Sequence, residues 1–205
     1  MSSEKIVAAI LAGGKAKRFQ GKAKGELELA DGRTIVKRLL EELAVAKIDE
    51  IVIAANDPSS YSGYGCPIVE DRLQESGPLG GIEAALGHYA GRADAVLFLP
   101  CDLPGISARE LLTLIAAYRN SAERIVVAQT PMLAGSGSEG DFFWHPLCVI
   151  VHIELHEQLR QAIVEGERCP WDLWDELGAA LVRFNDAGPF FNINSPQDLA
   201  EWLQA

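Results

Sequence analysis

The residues best suited to chemistry cluster in one glycine-rich, basic stretch. AILAGGKAKRFQGKAKGE, Ala9 to Glu26, sets Gly13 and Gly14 beside Lys15, Lys17, Arg18, Lys22 and Lys24. Glycines let backbone N–H groups turn inward and approach an anion closely. Arg18 offers a bidentate fork to phosphate oxygens, and Lys24 a mobile point charge. No acidic residue occurs from Lys5 to Gly25, so nothing local opposes the field. A solvated lysine loop is the plainer alternative, but a glycine pair directly after a buried apolar run favours phosphate binding. The stretch contains neither GxGxxG nor GxxxxGK[ST], so it matches neither common nucleotide fingerprint.

Further along, LFLPCDLPG places Asp102 just past an apolar run, between prolines. A carboxylate there suits magnesium, which takes one or two carboxylates plus substrate phosphates and water. A turn cap is the other reading of the same position. Asp71 poses a similar choice between substrate contact and turn formation. Gly77 and Gly81, in GPLGG, read as a close backbone approach at a helix start or as helix–sheet packing. His88, His152 and His156 have no partner spacing, and His145 reads as structural. The four cysteines form no CxxC pair, which argues against zinc and for reduced thiols.

These residues need elements to position them. Short apolar runs alternate with helical periodicity, which predicts an α/β fold, a mainly parallel, Rossmann-like sheet flanked by helices. Strands are expected at 6–11, 26–30 (ELELA), 50–55, 67–70, 95–99, 124–129, 147–151 and 180–184. Helices are expected from about Thr34, over 78–89, from the capping box of Ser107 and Glu110 to about Tyr118, over 154–165 and 171–177, and after Ser195-Pro196. Residues 132–141 read as a flexible surface loop. No repeat or linker is evident, so residues 1–205 are expected to form a single domain. In such sheets ligands bind at the carboxyl ends of strands, where Gly13-Gly14, Asn56, Asp71 and Asp102 all fall.

The chain has 205 residues, 48% of them apolar, and a formal charge of −11. The acidic balance argues against a general nucleic-acid binder. No apolar run is long enough to span a membrane, and the opening residues read as a first strand rather than a signal sequence, so a cytoplasmic protein is expected.

The order LAGGxxxRF(x)GxxKG, GPLGG, PCDLP, WHPL, GER and FNINSPQDL resembles the molybdenum cofactor guanylyltransferases (MobA type), a family of nucleotidyltransferases. The resemblance implies magnesium-dependent transfer of GMP from GTP to molybdenum-molybdopterin, with pyrophosphate released. It implies nucleotide contacts at Leu11, Ala12, Gly13, Gly14, Lys24, Asn56, Asp71, Gly77, Gly81 and Asp102. Arg18, Lys24 and Asp102 become the catalytic residues, Asp102 the Mg2+ ligand, and Arg168, Asn192 and Asn194 the pterin side. Partners implied are other cofactor-synthesis proteins and the receiving molybdoenzymes. Gln20, Ala23, Ala54 and Cys169 depart from the family's common residues. A molybdopterin cytidylyltransferase and a non-catalytic nucleotide- or pterin-binding paralogue are the alternatives.

Overall fold

A computed structural model describes residues 4–13, 19, 22–132 and 142–204. Its seven strands are β1 (Ile6–Leu11), β2 (Ile51–Ala54), β3 (Ile68–Val69), β4 (Ala95–Pro100), β5 (Ile125–Pro131), β6 (Phe142–His152) and β7 (Ala180–Arg183). They form one sheet in the order β3-β2-β1-β4-β6-β5-β7. All neighbours are parallel except those of β6, which runs antiparallel to both β4 and β5. β4 is buried along its whole length and β1 nearly so. Strands covered by helices on both faces read as unbroken apolar runs, which is how β1 and β4 appear in the sequence.

The α-helices are α1 (Ile35–Val45), α2 (Pro78–Tyr89), α3 (Ala108–Asn120), α4 (His156–Glu165), α5 (Pro170–Glu176) and α6 (Pro196–Trp202). One face of the sheet packs Ile10 and Leu99 against Leu39 of α1, Leu111 and Leu114 of α3, and Leu199 and Trp202 of α6. The other packs Val7 and Phe98 against Leu79 and Ile82 of α2, Leu159 of α4 and Trp174 of α5. Each fully buried large apolar side chain contributes roughly 1.5–3 kcal/mol, so both layers anchor the strand ends from which the site is built. Local signals set the helix ends. Thr34 caps α1, Ser107 and Glu110 form the expected capping box on α3, and Gly166 closes α4 in the left-handed conformation. No helix among the described residues is long and apolar enough to cross a membrane.

One expected strand is corrected and another is extended. Residues 26–30 alternate like a strand, but Lys24–Glu26 is a single 3-10 turn and Glu28 makes only one isolated bridge, to Thr34. Alternation there has no neighbouring strand to pair with. The strand expected at 147–151 starts at Phe142 and runs antiparallel. β5 ends at Pro131, and the ten residues 132–141 are too short for the crossover a parallel return needs. Of that stretch only Met132 is described.

Candidate active site

Strand order reverses between β1 and β4, which opens a crevice at their carboxyl ends. The strand ends there are tied together. Ala12 N–H donates to Ala54 C=O at 2.8 Å, and Cys101 N–H donates to Leu11 C=O at 3.0 Å. Gly13 follows, exposed, and a Cβ placed on it would meet nothing within 4 Å. Packing does not demand a glycine there, so what its absent side chain leaves open is space in front of the strand ends. Gly14, Lys15, Lys17, Arg18 and Gln20 lie outside the described residues.

Three residues from distant parts of the chain meet in this crevice. Lys24 Nζ donates to Asp102 Oδ2 at 3.1 Å and to Asn194 Oδ1 at 2.6 Å. Each is fixed by its own element. The backbone after Lys24 is pressed onto α1, where a Cβ at Gly25 would lie 2.5 Å from Val36 and 3.0 Å from the Tyr61 ring. Asp102 stands two residues past the end of β4, and its C=O accepts the N–H of buried Ile193 at 2.9 Å. Asn194 precedes the α6 cap: its N–H and that of Ser195 both donate to Asp198 Oδ2, at 2.7 and 2.9 Å. Those bonds, the one from Asn194 first, hold the Asp198 carboxyl below its usual range. Gly105 permits the docking, since a Cβ there would come within 2.9 Å of both Pro189 and Trp202.

Cys101, beside Asp102, is buried, and burial followed by the Asp102 charge pushes its thiol up to about 12. It stays a neutral thiol and packs rather than reacts.

On the other side of the crevice Asn56 and Asp71 face one another. Asn56 Nδ2 donates to Asp71 Oδ2 at 2.8 Å, and Asp71 N–H donates to Asn56 Oδ1 at 3.0 Å. The start of α2 closes on this pair: a Cβ at Gly80 would lie 2.9 Å from Asp71 Cγ. Gly81 meets Ala54 and Leu11 instead, each at 3.3 Å, and so sets the approach of helix to sheet. Gly77, the α2 N-cap, has φ 58° and ψ −147°, a conformation reserved almost wholly for glycine. Its position faces Arg168 C=O.

Not every expected residue points at the crevice. Arg168 donates through Nη1 to Ile163 C=O and Glu167 C=O, both at 2.6 Å, and so caps the end of α4. Asn192 is half-buried in the segment before Asn194. His145 is buried, bonded to Thr130 Oγ1 at 2.9 Å and packed on Phe190, which makes it structural. Sequence reasoning left His156 without a role, yet its Nε2 lies 2.9 Å from buried Glu83 and links α4 to α2. It also missed Gly25, Gly80 and Gly105 as individual positions. All three stand inside quoted motifs, but nothing near them in the chain names the atoms they make room for.

The family model described as the MobA-like NTP transferase domain matches residues 8–180. A molybdenum cofactor guanylyltransferase of Serratia proteamaculans is 32% identical over 204 residues, covering 98% of this chain and 95% of that protein. Another, of Pseudomonas fluorescens, is 33% identical over 191 residues, covering 92% and 88%. Among solved structures, molybdopterin-guanine dinucleotide biosynthesis protein A of Archaeoglobus fulgidus superposes with a TM-score of 0.75 at 21% identity, covering 96% of each chain. A CMP:2-keto-3-deoxy-manno-octonic acid synthetase complexed with CTP does so with a TM-score of 0.74 at 17% identity, covering 98% and 97%. These two structures share the fold.

Proposed function

The chain belongs to the MobA-like NTP transferase family, and on that premise we propose that it transfers GMP from GTP to molybdenum-molybdopterin, releasing pyrophosphate. The observation that carries the reading is the meeting of Lys24 and Asp102 where the strand order reverses, with the Asn56–Asp71 pair past the ends of the neighbouring strands. Asp71, aimed by Asn56, binds the nucleoside end of GTP. Leu11, Ala12 and Gly13 lead into the triphosphate, Gly14 is assigned a contact to it, and Gly77 and Gly81 set the helix behind. Lys24 and Arg18 oppose charge on the α-phosphate and on the departing pyrophosphate.

The nucleophile is a phosphate oxygen of the acceptor, already ionised near neutral pH, so no strong general base is required. Catalysis then rests on alignment of the two substrates and on fixed positive charge.

The residues fit Mg2+. Asp102 is part-exposed, and its Oδ2 already takes a cationic partner. No group of three or more His, Cys, Asp or Glu side chains that would cage a metal occurs among the described residues. A single carboxylate completed by substrate phosphates and water matches what magnesium accepts. Bound at Asp102, the ion would neutralise phosphate charge. Arg168, Asn192 and Asn194 stand for the pterin side. On this reading residues 1–205 act as one nucleotidyltransferase domain in the cytoplasm, supplied by other cofactor-synthesis proteins and delivering to molybdoenzymes.

The test is pyrophosphate release with molybdopterin as acceptor and GTP, CTP or ATP as donor, with and without Mg2+. Release with GTP that is much faster than with the others, and dependent on the ion, is the expected result. Faster turnover of CTP, or no release with any donor, would overturn it.

A further inference from the structure

Gln129 is only 5% exposed, and its Oε1 is buried with no hydrogen-bond donor among the described residues. It stands near the end of β5, opposite Trp144 of β6 on one side and Arg183 of β7 on the other. Residues opposite one another in a sheet share a face, so the amide lies between an indole and a guanidinium. The Trp171 ring of α5 stacks on Trp144 with centroids 4.3 Å apart and planes at 28°. Arg183 is held over the Phe142 ring, 4.5 Å from its centre. We propose that Trp144, Gln129 and Arg183 form the seat of a flat bicyclic ring that carries an N–H beside a carbonyl on its edge, the acceptor's pterin, and that the Trp171 ring fills this seat until the ligand takes it.

An acceptor buried without a donor costs stability, and an apolar side chain of the same shape would not. The fold by itself therefore gives no reason for an amide here, whereas a ligand's N–H does. Trp144 already has a flat π system against its face. A ring in the place of Trp171 would lie on Trp144 with its edge towards Gln129. Its N–H would then donate to Oε1, and its carbonyl would face Arg183. Trp171 is able to leave. It is 38% exposed, and α5 is anchored instead by buried Leu173 and Trp174. Trp174 Nε1 also ties the helix to Pro146 C=O at 2.7 Å.

The seat borders the crevice. β6 runs antiparallel to β4, so its beginning, with Trp144, lies at the carboxyl end of β4. Arg168, three residues before Trp171, sets its C=O against the Gly77 position at the start of α2. Asn56 and Asp71 follow β2 and β3, on the opposite side of β4 from β6 and β5. A second substrate thus has a place of its own beside the nucleotide. The inference deepens the nucleotidyl-transfer reading and rests on it. It adds Gln129, Trp144 and Arg183 to the acceptor side.

The experiment is equilibrium dialysis of the full chain against pterin-6-carboxylate, with no GTP present. Quinoxaline-2-carboxylate, a bicycle of similar size and charge without the N–H edge, and guanosine serve as comparison ligands. Wild type, Gln129→Met, Trp144→Leu and Trp171→Ala are compared, each checked for folding by circular dichroism and thermal melting. Wild type should prefer the pterin to the quinoxaline by about tenfold. Gln129→Met should lose that preference while melting at the same temperature or higher. Trp144→Leu should weaken binding of both rings by about tenfold. Trp171→Ala should bind at least as tightly as wild type, because the indole that must leave is gone.

A pterin preference that survives in Gln129→Met, or a melting temperature that falls in it, would overturn the role of the amide. Loss of affinity in Trp171→Ala as large as in Trp144→Leu would overturn the exchange. No binding of the pterin to Trp171→Ala would overturn the seat itself. Guanosine bound as tightly, with the same dependence on Trp144, would assign the seat to the nucleotide and overturn the acceptor assignment. Failure of the GTP reading would appear separately, as absent pyrophosphate release, because no donor enters the dialysis.

Discussion

Asn56 and Asp71 hold one another through a reciprocal pair of hydrogen bonds, 2.8 Å from the Asn56 amide to the Asp71 carboxylate and 3.0 Å from the Asp71 N–H to the Asn56 oxygen. The amide does both with one side chain, its NH2 donating to the carboxylate while its oxygen accepts from the backbone. Asn56→Asp loses the donor and brings a like charge to Asp71. We expect it to raise the KM for GTP by roughly tenfold or more, with Asn56→Ala raising it by a smaller factor. Steady-state kinetics at saturating acceptor would decide the point. An unchanged KM in Asn56→Asp would mean that Asp71 does not touch the nucleotide.

Lys24 and Asp102 are part-exposed and do not belong to the packed core. Lys24→Ala and Asp102→Ala should therefore keep a wild-type melting profile while kcat falls on the order of 10² to 10³-fold, the usual cost of removing a charge aimed at a transition state. A melting temperature that fell in step with activity would point instead to a structural role.

Gly105→Ala forces a methyl group to within 2.9 Å of Pro189 and Trp202. Overpacking of this kind costs about 1–3 kcal/mol, which in a chain of this size lowers the melting temperature by about 2–12 °C. Because the displaced segment carries Ile193 and Asn194, kcat should fall as well, although residue 105 itself touches neither substrate. Thermal melts and turnover of the same preparation would show whether the two effects appear together.

His145 is neutral in the fold, its pKa lowered by burial to about 4. The unfolded chain regains a histidine near its ordinary value of about 6.5 and binds a proton there first. Stability must then decline as pH falls from about 6.5 towards about 4, by up to ~3 kcal/mol in total. Carboxyls held low by their partners, such as those of Asp57 and Asp198, also lose stabilisation on acidification. The comparison with His145→Gln isolates the histidine: urea midpoints of the variant should fall less over this window than those of wild type. Parallel curves for the two proteins would contradict the assignment.

Whatever depends on neighbours in the chain was legible in the sequence. The apolar runs of β1 and β4, the helical spacing of α1 and α3, the Ser107–Glu110 box and the Gly166 cap each arise within a few residues, and each stands where the sequence places it. From those elements came the parallel sheet and the loops at its carboxyl ends, hence the general location of Gly13, Asn56, Asp71 and Asp102. Tertiary structure decided what local pattern does not encode. The alternating 26–30 stretch found no strand to join, and a short connection turned β6 antiparallel. Gly105 has meaning only through Pro189 and Trp202, and Lys24 only through Asp102 and Asn194. Those contacts depend on the order of strands and on the layer packed against one face of the sheet. The sequence carries the groups; packing alone brings an ammonium from near the start of the chain to oxygens from its middle and its end.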